Sequence, residues 1–314
     1  MSNKKVLLTG LQPSGVLHIG NYFGSLKPFL DTHGEYQSYL MIADYHALTS
    51  VHNADELQNN TRMLIADYLA LGLDVDSVTV FKQSDNQDHM ELAWILNCLV
   101  TVPFLKQSHA YKDKVAKGLE PNAGLFTYPM LQAADIALYN ADVVPVGEDQ
   151  RQHLEYTREV IRKLNHTYNS TVLKEPETLI IESAGVVPGI DGQKMSKSYK
   201  NTIPLFGTPE ETEKAVMSIV TDSSGNVPQN VYNIHKLFRS EDELNEIYTS
   251  NSGKYKILKD MLANDINTYF ADIRERRKSL DDSYIEKVLE DGSKKAREVS
   301  NETLNKVRAT IGIK

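Results

Sequence analysis

Over residues 5–146 short apolar runs alternate with longer amphipathic segments, and few architectures accept that pattern. Short apolar runs suit strands buried on both faces, and the amphipathic segments suit helices crossing between them, so a parallel α/β sheet is expected. Strands are predicted over 5–9, 38–43, 78–81 and 143–146. The turn-rich Gly10-Leu-Gln-Pro-Ser-Gly15 follows the first, and a helix is expected to start near His18. Asn53 suits an N-cap for a helix running to about Leu71, with Gly72 as its stop. Residues 89–99 and 130–139 read as helices, and Gly147-Glu-Asp-Gln-Arg-Gln-His153 opens another.

Near Glu182 the texture changes. A glycine-rich connector, 185–192, leads into Lys194-Met-Ser-Lys-Ser198. Pro209, after Thr208, suits a first helical position, and helix signals dominate from there onward. Two domains are expected, 1–205 with the sheet and 206–314 mainly helical, with the last helix packing back on the first.

The 314 residues suffice to bury a sizeable core without staples. The single cysteine, Cys98, excludes an internal disulfide and a multi-cysteine metal site within one chain. A net charge of −8 argues against nucleic-acid binding by the whole surface but leaves room for a local basic patch. No apolar stretch reaches the ~20 residues of a membrane span, and the run at 6–8 is too short for a signal peptide. A cytoplasmic protein without membrane contact is expected.

Two separated motifs carry the chemistry. In Gln12-Pro-Ser-Gly-Val-Leu-His18-Ile-Gly20-Asn21 the glycines let backbone approach a ligand, and the helix start offers free N–H groups to an anion. His18 and Asn21, three apart, fall on one helical face and can donate to phosphate oxygens. Alone, the same residues describe an ordinary turn with a surface histidine. In Lys194-Met-Ser-Lys-Ser198 two lysines on a loop between glycines can close over a triphosphate and stabilise a leaving pyrophosphate. Alone, that run is a solvated basic loop.

Together and in this order, the two runs resemble the "HIGH" and "KMSKS" signatures of class I aminoacyl-tRNA synthetases, the first in the His18-Ile-Gly-Asn21 variant typical of the tryptophan and tyrosine branch. Further runs resemble the tryptophan members: Gly124-Leu-Phe-Thr-Tyr-Pro-Met-Leu-Gln-Ala-Ala-Asp135, Val144-Pro-Val-Gly147-Glu-Asp-Gln150, Asp44-Tyr-His46 and Asp291-Gly-Ser-Lys-Lys-Ala296. One departure is Gln132, where several tryptophan members carry Met and tyrosine members often carry Gln.

The resemblance implies a Rossmann-like, doubly wound parallel sheet followed by a mainly helical, tRNA-recognising domain. It implies an ATP-dependent ligase that forms an aminoacyl-adenylate and passes the amino acid to the 3′ end of tRNA(Trp). Tyrosine activation on the same fold is the alternative. A small-molecule adenylyltransferase would lack the second lysine loop, and a non-catalytic paralogue would be expected to have lost Lys194 and Lys197. By the same resemblance Asp135 accepts the indole N–H of L-tryptophan, His46 and Gln150 hold its amino or carboxylate end, and Leu8, Gly10 and Gln132 line its pocket. ATP would meet Gln12, Pro13, Ser14, Gly20, Asn21, Gly147, Glu148, Asp149, Val186, Val187, Lys194, Met195, Ser196, Lys197 and Ser198. Catalysis would fall to His18, Asn21, Lys194 and Lys197, with Lys114 reaching the phosphates from a polar stretch. Mg²⁺ would travel with the ATP rather than in a protein cage, and a homodimer is implied. The late cluster Arg274-Glu-Arg-Arg-Lys278, with Lys294, Lys295 and Arg297, offers tRNA phosphate contacts.

Overall fold

The structure, a computed structural model, describes residues 4–145, 151–179, 186–221 and 227–313. Five strands form one sheet: β1 (Val6–Leu11), β2 (Gln37–Ile42), β3 (Val78–Lys82), β4 (Val143–Pro145) and β5 (Glu177–Leu179). All pairings are parallel, in the order β3-β2-β1-β4-β5.

Side-chain alternation explains why the central strands read as apolar. Leu7, Leu40 and Ile42 face one core with Ile19, Ile65 and Phe270. Their neighbours Leu8, Tyr39 and Met41 face the other core with Phe81, Leu92 and Met130. Each such side chain contributes about 1.5–3 kcal/mol when fully buried, and a sheet covered on both faces has no polar side to spare.

The helices before β4 are α1 (Ile19–Asn21), α2 (Lys27–Thr32), α3 (Asp44–Ala47), α4 (Ala54–Ala70), α5 (Asp88–Asn97), α6 (Val102–Leu105), α7 (His109–Ala116) and α8 (Ala123–Leu138). A π-helical turn, Tyr22–Leu26, joins α1 to α2. The later ones are α9 (Arg151–Thr167), α10 (Pro209–Met217), α11 (Gln229–His235), α12 (Glu241–Ser250), α13 (Tyr255–Ser279) and α14 (Asp282–Ile311). Asn53 caps α4 by accepting from Glu56 N at 2.9 Å, and Gly72 follows that helix at φ +93°, as its sequence position implies. Thr208 caps α10 with Pro209 at its first position.

Three elements differ from expectation. Helix α8 begins at Ala123 rather than 130, because Pro129 sits inside the helix instead of ending it. The stretch around Lys114, expected as an exposed loop or phosphate-reaching segment, is helix α7. Strand β5 had no apolar signature, being a three-residue edge strand that begins with Glu177.

The last helix lies against the sheet. A Cβ on Gly292 would come within 1.7 Å of the Val80 carbonyl oxygen, so only glycine lets α14 approach β3 this closely. Ile285 and Val288 enter one core while Leu304 and Val307 enter the other. The chain runs outward from β1 to β3 and then returns to β4 on the other side of β1. That reversal leaves a crevice at the carboxyl ends of β1 and β4, where doubly wound sheets bind ligands.

Candidate functional site

A cavity of about 530 Å³ occupies this crevice. Leu8, Gly10 and Gln12 reach it from β1 and the following loop, His46 from α3, and Gln132 and Asp135 from α8. Tyr128, Val144, Pro145 and His153 complete much of the wall. A cavity of this size, with apolar walls and several converging polar groups, suits a small organic ligand that carries both kinds of surface. Gly10 keeps the floor low, since a Cβ there would lie 3.3 Å from Met41 Cε.

Asp135 is the polar centre of the cavity and is 2% exposed. Its Oδ1 accepts from His89 Nδ1 at 2.7 Å and Gln83 Nε2 at 2.8 Å, and its Oδ2 accepts from His46 Nε2 at 2.8 Å. Burial alone would push the carboxyl up, but the hydrogen bonds from His46 and His89 outweigh it and hold the group at about 2. Asp135 is therefore an anion across the working pH range. A carboxylate oxygen has two acceptor sites, so Oδ1 is saturated and Oδ2 keeps one position for a donor. His46, expected at the amino or carboxylate end of a substrate, instead spends Nε2 on Asp135. A second polar pair, Tyr128 Oη and His153 Nε2 at 2.7 Å, faces the same space.

The second part of the site surrounds the β1–α1 turn. His18 caps α1: its Nδ1 accepts from Asn21 N at 3.2 Å, while Asn21 Oδ1 accepts from His18 N at 3.1 Å. The pair is thus reciprocal, holding the turn closed, rather than two independent side chains on one face. Nδ1 is the acceptor, so Nε2 carries the proton and remains the donor. Burial, aided by the Lys197 cation, lowers the imidazole to about 4 and prevents a second proton from binding.

The Lys194–Ser198 run lies against this turn. Lys197 Nζ donates to the carbonyls of Ser14 at 2.9 Å and Gly15 at 3.0 Å. Residues 203–205 bind the same segment, through Ile19 N to Ile203 O and Leu205 N to Leu17 O, each 3.0 Å. A Cβ on Gly20 would stand 3.0 Å from Met195 Cβ, so the two motifs touch where glycine makes room. Burial lowers the Lys197 ammonium pKa, with Asp67 opposing the shift. Ser196 caps the short turn after it by accepting from Ser198 N, and Asn201 Oδ1 accepts from Ser196 N at 2.7 Å.

The remaining candidates divide. Lys194 and Ser198 are exposed, as are Gln12 and Ser14, whereas Pro13 and Met195 are buried. Val186 is exposed, while Val187 is buried and its carbonyl accepts from Met195 N. Lys114 is half-buried on α7, whose Ala110 lines the cavity. Gly147, Glu148, Asp149 and Gln150 lie outside the described residues. Two arginines of the late basic cluster turn inward. Arg274 donates to Leu205 O, Asn267 Oδ1 and Thr212 Oγ1, and Arg277 Nε donates to Asp67 Oδ1 at 2.6 Å. They clamp α13 to its neighbours, whereas Lys294, Lys295 and Arg297 are exposed on α14.

Sequence reasoning passed over Gln83, His89, Tyr128 and His153. Gln83 and His89 follow the end of β3, the position where doubly wound sheets place polar site residues, and that was the available signal.

Fold and site together define an α/β enzyme class with a buried, ionised carboxylate in its cavity and a turn that brings a histidine and a lysine together. The family model described as tRNA synthetases class I (W and Y) matches residues 2–278, and the chain belongs to that family. It is 46% identical to the tryptophan–tRNA ligase of Fusobacterium nucleatum over 98% of this chain and 97% of the relative. It is 41% identical to that of Campylobacter jejuni over 98% and 99%. The crystal structure of Campylobacter jejuni tryptophanyl-tRNA synthetase complexed with ADP and tryptophan superposes with a TM-score of 0.92. It is 40% identical, covering 98% of this chain and all of that one.

Proposed function

We propose that the chain is a tryptophan–tRNA ligase: it activates L-tryptophan with ATP to tryptophanyl-adenylate, releases pyrophosphate, and transfers the amino acid to the 3′ end of tRNA(Trp). The observation that carries this reading is the single acceptor position left on the buried, ionised Asp135, inside a cavity sized for an aromatic side chain. An indole N–H fills that position with a charge-assisted bond, and a side chain lacking the donor leaves it unpaired.

ATP lies across the β1–α1 turn, its α-phosphate beside the cavity mouth. The tryptophan carboxylate attacks that phosphorus, and pyrophosphate leaves. Positioning and charge stabilisation dominate such a transfer, so no covalent intermediate is required. His18 Nε2–H and the Asn21 amide donate to phosphate oxygens. Lys197 exchanges its two carbonyl partners for the leaving pyrophosphate, joined by the exposed Lys194. Mg²⁺ travels with the triphosphate. In the second step the terminal ribose hydroxyl of the tRNA attacks the adenylate, with Lys294, Lys295 and Arg297 as phosphate contacts.

The protein works as a homodimer through α5. Met90 and Trp94 stand one helical turn apart and are 48% and 70% exposed, with Val102 also exposed nearby in sequence. Trp94→Glu is expected to yield monomers by sedimentation velocity, and a dimer surviving that change would remove this face.

Amino-acid-dependent ATP–pyrophosphate exchange, followed by charging of purified tRNA, tests the whole reading. Exchange with tryptophan and charging of tRNA(Trp) are expected. Exchange with tyrosine instead would move the chain to the other branch of its family, and no exchange with any amino acid would remove ligase activity.

A further inference from the structure

The cavity's carboxylate is linked to the last long helix by buried hydrogen bonds that set each other's direction. His89 Nδ1 donates to Asp135 Oδ1, which fixes the ring's tautomer and leaves Nε2 as an acceptor. Tyr139 Oη lies 2.8 Å from that nitrogen and donates to it. Burial raises the phenol pKa well above its ordinary value, so the hydroxyl keeps its proton. The Tyr139 oxygen accepts from Asn86 Nδ2 at 3.2 Å, and the other hydrogen of the same amide goes to Ser300 Oγ at 2.7 Å. Ser300 in turn donates to Asp88 Oδ2 at 2.6 Å, and Asn86 Oδ1 accepts from Asp88 N at 3.2 Å. His89, Tyr139, Asn86 and Ser300 are all buried, so water cannot replace a lost partner.

Each link depends on the one before. With its proton on Asp88, Ser300 offers Asn86 only an acceptor, and together with Asp88 N, which donates to Asn86 Oδ1, it prevents the amide from flipping. The unflipped amide points N–H at Tyr139, whose proton must then turn toward His89. That keeps Nδ1–H on Asp135 and leaves only Oδ2 for a ligand. We propose that Ser300, on α14, is a positioning residue for amino-acid selection, acting through Asn86, Tyr139 and His89 to hold Asp135. This rests on the reading of Asp135 as the indole partner.

The test uses the full-length protein and compares tryptophan with β-(3-benzothienyl)alanine, which has the same shape but sulfur in place of the N–H. The readout is the ratio of kcat/KM values in pyrophosphate exchange. Ser300→Ala is expected to lower that ratio about fivefold, the scale of one disturbed buried hydrogen bond, with KM for tryptophan raised and KM for ATP unchanged. Tyr139→Phe breaks the middle link with little change of volume, and is expected to act in the same direction should Ser300→Ala fold poorly. Asp135→Asn is the reference and should lower the ratio about tenfold, as loss of a bond to a charged group does. A ratio lowered by Asp135→Asn but unchanged in Ser300→Ala and Tyr139→Phe would overturn the linkage while leaving Asp135 in its role. A ratio unchanged in all three would remove Asp135 from the indole contact, and the linkage with it.

Discussion

The two ends of the site are built differently. Around Asp135 every donor is already spent on a buried partner: His46, His89 and Gln83 converge on one carboxylate, leaving a single open position. Around His18 the turn is braced, but the cations are not committed. Lys197 rests on two backbone carbonyls, and Lys194 is exposed. In the proposed reading the selecting end is assembled before the ligand arrives, while the phosphate end exchanges its contacts to the Ser14 and Gly15 carbonyls for stronger ones to the ligand. Preorganised donors cost no rearrangement at the moment of use, which suits discrimination. Uncommitted lysines suit a charge that appears only as pyrophosphate departs.

The largest expected effect falls at the phosphate end. Lys197→Ala should slow adenylate formation in single-turnover experiments by about a hundredfold or more, the scale of a lost transition-state donor. Tryptophan affinity, measured by equilibrium titration, should stay within about twofold, since uniform binding is untouched. Equal losses in both would erase the division between the ends.

Stability should show the reverse ranking. Asp135→Asn strips the charge from three buried hydrogen bonds and should cost about 2 kcal/mol in denaturant unfolding. Lys197→Ala, removing a partly exposed side chain bonded to carbonyls, should stay within about 0.5 kcal/mol. A Lys197 variant as unstable as the Asp135 variant would mean that the lysine is a structural group.

The smallest effect concerns pH. His18 is lowered from 6.5 to about 4, so the unfolded chain binds its proton more tightly. Its stabilising contribution is complete above pH 6.5 and is lost as pH falls toward 4. Asp67, raised from 3.8 to about 6 by burial despite its bond to Arg277, works in the opposite sense across much of that window. Bulk unfolding therefore changes little there, and a site-resolved probe is needed. The His18 ring resonances should not move between pH 8 and 5.5 in NMR titration, and a midpoint near 6.5 would mean an exposed, uncoupled imidazole.

The sequence carried local structure further than long-range pairing. The Asn53 cap, the Thr208–Pro209 start and the first four strands were legible because capping and alternation act within a few residues. Pro129 misled because a helix packed between α5 and α9 tolerates a missing N–H that an isolated helix would not. The His18 and Lys197 motifs were legible as chemistry, but their contact across 183 positions, through the Ser14 carbonyl, is a product of the fold. His89 and Gln83 were missed for the same reason. Their role depends on a carboxylate on α8 that only tertiary packing brings near. Arg274 read as a candidate phosphate contact because nothing in its helix announces Leu205 and Thr212 as partners.

The division of labour itself is tested most directly by Lys197→Ala in pyrophosphate exchange with tryptophan and with its benzothienyl analogue. The account predicts that both rates fall by the same factor, leaving the preference for tryptophan intact. A preference that collapses along with the rate would contradict it, because the lysine would then be taking part in choosing the side chain.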